Sequence, residues 1–117
     1  MKPKLCVIIE SPFAGDRVKN VEYARRCMMD SLKRNEAPFV SHLLYTQVLE
    51  DAAVEERTMG LSAGWAWIKK SQKTIVYIDY GISDGMRGGI AEAKCLKHKI
   101  EYRKIGRNPV TRSSSKI

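Results

Sequence analysis

Long apolar stretches are missing from this chain. The N-terminal run Leu5 to Ile9 has only five residues, against the roughly 20 that cross a bilayer and the roughly 7–15 of a signal-peptide core. It reads instead as a buried strand, and no membrane partner is expected. Cysteine is scarce. Cys6, Cys27 and Cys95 are odd in number and widely spaced, a pattern of neither a disulfide framework nor a zinc site. All three lie in apolar segments and read as buried free thiols in a reducing, cytoplasmic compartment. No Cys or His spacing suggests a metal, and no cofactor is implied. The dinucleotide glycine fingerprint is missing after the first strand, and there is no Walker loop. The glycine-rich run Gly81–Gly89 matches neither.

What is present fits one globular domain. The chain has 117 residues, 44% hydrophobic and 29% charged, enough for a single layered core. Its net charge of +8 is unevenly placed: residues 94–117 hold eight Lys and Arg against Glu101, and residues 1–93 hold 13 basic and 12 acidic residues. The expected organisation is an α/β domain over 1–106 and a basic, flexible tail over 107–117. A basic end attracts polyanions, but more often it is a solvated tail, so nucleic acid is the lesser partner reading.

Periodicity gives the order β-α-β-α-β-α-β. Residues 4–10 form a continuous apolar run typical of a central parallel strand. From Arg17 to Arg34, Val18, Val21, Ala24, Cys27, Met28 and Leu32 recur at helical spacing, with Asp16 as N-cap. Pro38 to Leu44 reads as a second strand. Ala52 to Lys70 reads as a second helix, with Val54, Leu61, Trp65 and Ile68 inward and Glu55 and Glu56 as first-turn charges. Thr74 to Asp79 is the clearest strand. Met86 to Lys97 is a third helix with Ile90, Ala93 and Leu96 inward. Ile100 to Ile105 alternates and reads as an edge strand solvated on one side. This alternation implies a small, doubly wound, four-stranded parallel sheet of order 2-1-3-4 with helices on both faces. Ligands bind such sheets at the switch point, here between strands 1 and 3.

Two loops meet there. The first offers Ser11, Gly15 and Asn20. The second offers Asp79, Ser83, Asp84 and Gly85 and runs into a helix, whose free N–H groups suit a phosphate. Taken singly, these are also ordinary turn and capping residues. His42 and Tyr45 follow strand 2 and flank the same cleft, although a lone His is more often structural. Trp65 fits the buried stripe, which leaves Trp67 for a subunit interface.

At these residues a resemblance emerges. Ile9-Glu10-Ser11-Pro12-Phe13-Ala14-Gly15 with Asn20 and Ala24 resembles the opening of the nucleoside 2-deoxyribosyltransferase-like superfamily. Ser41-His42-Leu43-Leu44-Tyr45, Glu55-Glu56-Arg57 with Gly60, and Ile82-Ser83-Asp84-Gly85-Met86-Arg87 resemble a small branch of it common in phage genomes, which would place the protein in a host cytoplasm. The resemblance spans about Leu5 to Ile105 and implies a nucleotide or nucleoside ligand, a homo-oligomer, and Ser11, Pro12, Gly15, Asn20, His42, Ser83, Gly85 and Met86 as binding residues. In the superfamily a glutamate on the helix after strand 3 attacks the sugar's anomeric carbon. Ser83 and Gly85 resemble the deoxynucleoside 5′-monophosphate N-glycosidases, which hold a 5′-phosphate at that turn.

The position matching the nucleophile is Gly89, which has no side chain to react. Glu92, about one turn on, and Asp79 or Asp84, activating water, are the remaining candidates. Three readings therefore stand together: an N-glycosidase or deoxyribosyltransferase with a different catalytic group, an inactive nucleotide-binding or sequestering protein, and an interaction module using the basic C-terminal segment. Gly88 and Gly89 together cost a helix roughly 1 kcal/mol each relative to alanine. Close approach of a ligand, a partner backbone or another helix would offset that cost.

Overall fold

A computed structural model describes residues 3–106; the basic tail expected over 107–117 lies outside the described residues. Four parallel strands, β1 (Leu5–Glu10), β2 (Glu36–Phe39), β3 (Lys73–Tyr77) and β4 (Lys99–Arg103), form one sheet of order β2-β1-β3-β4. The four-stranded doubly wound architecture is therefore the one that the alternating pattern implies. Its cause is the right-handed crossover between parallel strands: the connection from β1 to β2 runs one way along the sheet and those from β2 to β3 and β3 to β4 the other, so their helices cover opposite faces.

Helix α1 (Arg17–Lys33) covers one face. Asp16 caps it, accepting from Lys19 N at 3.1 Å. Its Tyr23, Ala24 and Cys27 pack on Val7, Ile9, Ile75 and Tyr77, alternate residues of β1 and β3. Helix α4 (Asp84–Cys95) covers the opposite face with Met86 and Ile90 against Val76. A short turn α2 (Ser41–Leu44) and helix α3 (Val54–Ala66) complete that layer. None of the described helices is long and apolar enough to cross a membrane.

Several expected boundaries move. The second strand is Glu36–Phe39, not Pro38 to Leu44. Asn35 takes φ 64°, a left-handed turn that passes the chain from α1 straight into the sheet. Val40 then leaves the sheet, and the apolar Leu43 and Leu44 belong to α2. The second helix starts at Val54, which is 78% exposed and not part of the inner face; Ile68 is buried from a separate 3-10 turn, Ile68–Lys70. Helix α4 starts two residues earlier than Met86, because Ser83 caps it through its hydroxyl to Met86 N at 3.3 Å. Its Leu96 lies beyond the helix and is exposed. Cys6 and Cys95 are exposed, and only Cys27 is a buried thiol.

The edge strand departs most from expectation. Tyr102, read as inward, is exposed, and Arg103, read as solvated, is buried. Arg103 pairs in register with Tyr77 and Glu101 with Ile75, so both charges lie on the α1 face. There Arg103 makes a bidentate ion pair with Glu36, at 2.9 and 2.6 Å, and bonds Glu101 through Nε at 2.8 Å. Lys73 Nζ joins Glu101 at 2.7 Å.

Candidate functional site

Between the C-terminal ends of β1 and β3, where the connections diverge, lies a cleft of about 510 Å³. Its floor is Ile8 and Glu10 of β1. The loop Ser11 to Gly15 forms one wall, and Asn20 fixes that loop by donating from Nδ2 to the carbonyls of Phe13 and Ala14, at 3.1 and 2.9 Å. Ser41, His42 and Tyr45 form the far wall. Glu56, Arg57, Gly60, Leu61, Gly64 and Trp65 of α3 close a third side, and Ser83, Asp84, Gly85 and Met86 at the start of α4 a fourth. Gly64 matters here: a Cβ on it would meet Ser41 Cβ at 2.9 Å, so only glycine lets α3 sit this close to α2.

The site residues singled out from the sequence divide on this geometry. Ser11, Gly15, His42, Ser83, Asp84, Gly85 and Met86 all line the cleft. Pro12 is buried beside it, and Asn20 acts one step back, through the loop. Asp79 is turned toward α1, where it accepts from the Tyr23 hydroxyl at 2.5 Å and from the amides of Ile105 and Gly106 at 3.0 and 2.9 Å. Burial opposes its charge, but these bonds outweigh burial and hold its carboxyl below the usual range. It is a structural anion, spent on joining β3 to the segment after β4. Glu92 is outside the cleft lining. Arg87 turns to Asp84, at 2.7 Å on the surface, rather than back to the loop.

His42 Nε2 lies 2.9 Å from Ser11 Oγ. Burial pushes the imidazole down to about 4, so the ring is neutral at pH 7. Neutral His42 pairs with the buried Ser11 hydroxyl and stands edge-on to Phe13 at 5.8 Å. Trp67 donates from Nε1 to the Tyr45 hydroxyl at 2.9 Å and tilts over Phe39 at 5.3 Å; it braces the outside of this wall. At the start of α4, a Cβ on Gly85 would meet nothing within 4 Å, so the backbone there is open to the cleft. The first-turn amides of a helix have no intrahelical acceptor. Among the described residues, no group of three or more His, Cys, Asp or Glu is placed to hold a metal ion.

One cleft residue carries no role from its sequence neighbourhood. Glu10 ends β1, part-buried, and its carboxyl touches the backbone of α4 at Gly89. Burial, with no charge or hydrogen bond to counter it, pushes its carboxyl up to about 8. The signal was readable as strand parity: Glu10 lies two residues after Ile8, on the α4 face. Such a group makes stability fall with pH. Unfolded, the carboxyl loses its proton near the ordinary 4.5, whereas folded it keeps the proton to about 8. Between those values the unfolded state binds fewer protons, so stability declines as pH rises. His42, whose folded value is lowered to about 4, opposes this up to about pH 6.5, so urea titrations from pH 6.5 to 8.5 should show the decline in wild type and a flatter profile in Glu10→Gln. Equal slopes would mean that Glu10 ionises freely.

The comparisons with known proteins agree with this architecture. A family model described as Domain of unknown function (DUF7768) matches residues 5–103. Among solved structures, the chain is similar to a 2-deoxyribosyltransferase from the psychrotolerant bacterium Bacillus psychrosaccharolyticus, described as a biocatalyst for nucleoside synthesis. The TM-score is 0.59 at 19% identity, over 85% of this chain and 72% of that one. That likeness shows a deoxyribosyltransferase-like fold. No curated protein matches the sequence.

Proposed function

The chain belongs to the family described as Domain of unknown function (DUF7768), and from the cleft that its fold builds we propose that it binds a deoxynucleoside or deoxynucleotide and cleaves or transfers at the N-glycosidic bond. The observation that carries this reading is the cleft itself. It sits at the switch point of a doubly wound sheet, where such folds take their ligands. It sets the Glu10 carboxyl, which has no partner among the described residues, against a wall of apolar and polar groups, with an open helix start opposite. The 2-deoxyribosyltransferase of like fold supports the ligand class. The open backbone at Gly85 supports a 5′-phosphate there, next to the Ser83 cap.

The test is a panel of deoxynucleosides and their 5′-monophosphates, with free base followed by chromatography and binding by calorimetry. At least one member should bind and release its base, and a monophosphate should do so better than its nucleoside. Failure of every member to bind folded protein would sink the reading. A second reading, a nucleotide-binding or sequestering protein without chemistry, rests on one observation: residue 89, where the resemblance leads one to expect a nucleophile, is glycine. Binding without base release would favour it.

A further inference from the structure

Gly89 is glycine for a reason visible in its surroundings. A Cβ placed there would fall on the Glu10 carboxyl, 2.6 Å from Cδ and 2.9 Å from Oε1. Any side chain at 89 would need the volume that Glu10 already fills. The neighbouring Gly88 is under a weaker constraint, since its Cβ would meet the Trp65 ring at 3.3 Å. A carboxyl therefore lies against α4 at Gly89, and it arrives from the end of β1.

Among the described residues, no hydrogen bond or ion pair accounts for Glu10 structurally. A carboxyl held for stability is bonded, as Glu36 is to Arg103 and Ser31. Glu10 has no such partner among the described residues; part-buried, it turns its unpaired carboxyl into the cleft. The other titratable groups that face the cleft are His42 and Tyr45 on one wall, Asp51, Glu56 and Arg57 on another, and Asp84 at α4. None pairs with Glu10. His42 is neutral, Arg57 stands 4.0 Å from Asp51, and Asp84 holds Arg87. Beside Glu10 in the sheet is Val76, which is apolar.

On the reading of the cleft as a nucleoside site, we propose that Glu10 is its catalytic carboxyl, donating a proton to the base as it departs, and that Gly89 is the seat that admits it. At neutral pH the part-buried carboxyl has a proton to give. The C1′–N bond breaks, and its electron pair goes to the base, which takes the proton from Glu10. A water oxygen bonds to C1′ and loses a proton to solvent. The Glu10 carboxylate then regains a proton from solvent. One water is consumed, and free base and sugar leave.

The experiment compares wild type with Glu10→Gln, which keeps shape and hydrogen-bonding capacity but has no acidic proton. Base release from the best member of the panel should fall at least about 100-fold in kcat, the scale of a lost general acid, with KM within about threefold. Wild-type kcat should also fall as pH rises through about 8, where Glu10 gives up its proton, and the residual rate of Glu10→Gln should lack that limb. The wild-type limb needs no variant, so a misfolded Glu10→Gln would not rescue the idea. A Glu10→Gln rate within threefold of wild type overturns the proposal. So does a wild-type rate that climbs through pH 8, because then the ionised carboxylate is the working form. Wild type that binds nucleosides yet releases no base overturns the proposal and leaves the binding reading standing. Wild type that binds none overturns both.

Discussion

Replacing Arg103 by methionine should cost about 3–5 kcal/mol of folding stability, the scale for breaking a buried ion pair from one side. The guanidinium is 6% exposed in its side chain, as is its partner Glu36. Arg103 satisfies both oxygens of Glu36, one of Glu101 and the Tyr77 hydroxyl, the last at 3.1 Å. Removing it strands Glu36 under α1 with only the Ser31 hydroxyl at 2.7 Å and Lys73 at 3.8 Å. The loss is read from urea unfolding at pH 7. Adding Glu36→Gln to the Arg103→Met chain should return part of it, because the stranded charge is then gone. A double variant as unstable as the sum of the singles would mean that packing, not charge, is at stake.

The same cluster sets acid sensitivity, with a sign opposite to that of Glu10. Burial alone would raise the Glu36 carboxyl, but the bonds from Arg103 and Ser31 and the charges of Arg103 and Lys73 bring it below the usual range. Bonds from Arg103 and Lys73 lower Glu101 to about 2. Lowered carboxylates contribute stability that is present above the ordinary 4.5 and lost as pH falls toward the folded values. Wild type should therefore be most stable at about pH 5–6, above the loss of this cluster in acid and below the decline that Glu10 imposes unopposed from about 6.5 to 8.

Gly89→Ala should fall short of the about 1 kcal/mol that alanine in place of glycine within a helix ordinarily gains, because its Cβ must displace the far end of the Glu10 side chain into the cleft. That shortfall is the test. Alanine at 89 must displace the Glu10 carboxyl or push α4 off β1. Combining it with Glu10→Ala should remove the clash and leave the double variant more stable than Gly89→Ala alone, with a coupling of about 0.5 kcal/mol or more. Gly88→Ala is the control. Its conflict is with the edge of one ring, and it should lie near zero. Additive effects of Gly89→Ala and Glu10→Ala would mean that the two residues do not share space.

Much of this architecture was legible in the chain. The continuous apolar run of β1, the β-branched run at Thr74–Val76 and the capped, striped helix α1 carry their structure locally, because propensity, period and cap agree. With alternation of strand and helix, right-handed crossovers leave few topologies, so the strand order and the switch point followed. The cleft loops were found in the same way: Ser11, His42, Ser83 and Gly85 sit where strand ends and a helix start converge.

The misplaced residues are those whose environment is set by partners distant in sequence. Asp79 reads as a free carboxylate at a strand end, yet Tyr23, 56 positions away, and the amides of Ile105 and Gly106 claim it. Arg103 reads as a solvated edge-strand charge, yet Glu36, 67 positions away, draws it under α1. Glu10 and Gly89 each look incomplete alone, one an acid in an apolar strand and the other a helical glycine where an acid is expected. The sequence by itself determined the elements, their order and the place of the cleft, because those follow from short-range periodicity and chain chirality. Only the tertiary structure decided which charges face which side, and that the carboxyl over α4 comes from β1, because an ion pair or a shared volume depends on atoms that meet only when the sheet has closed.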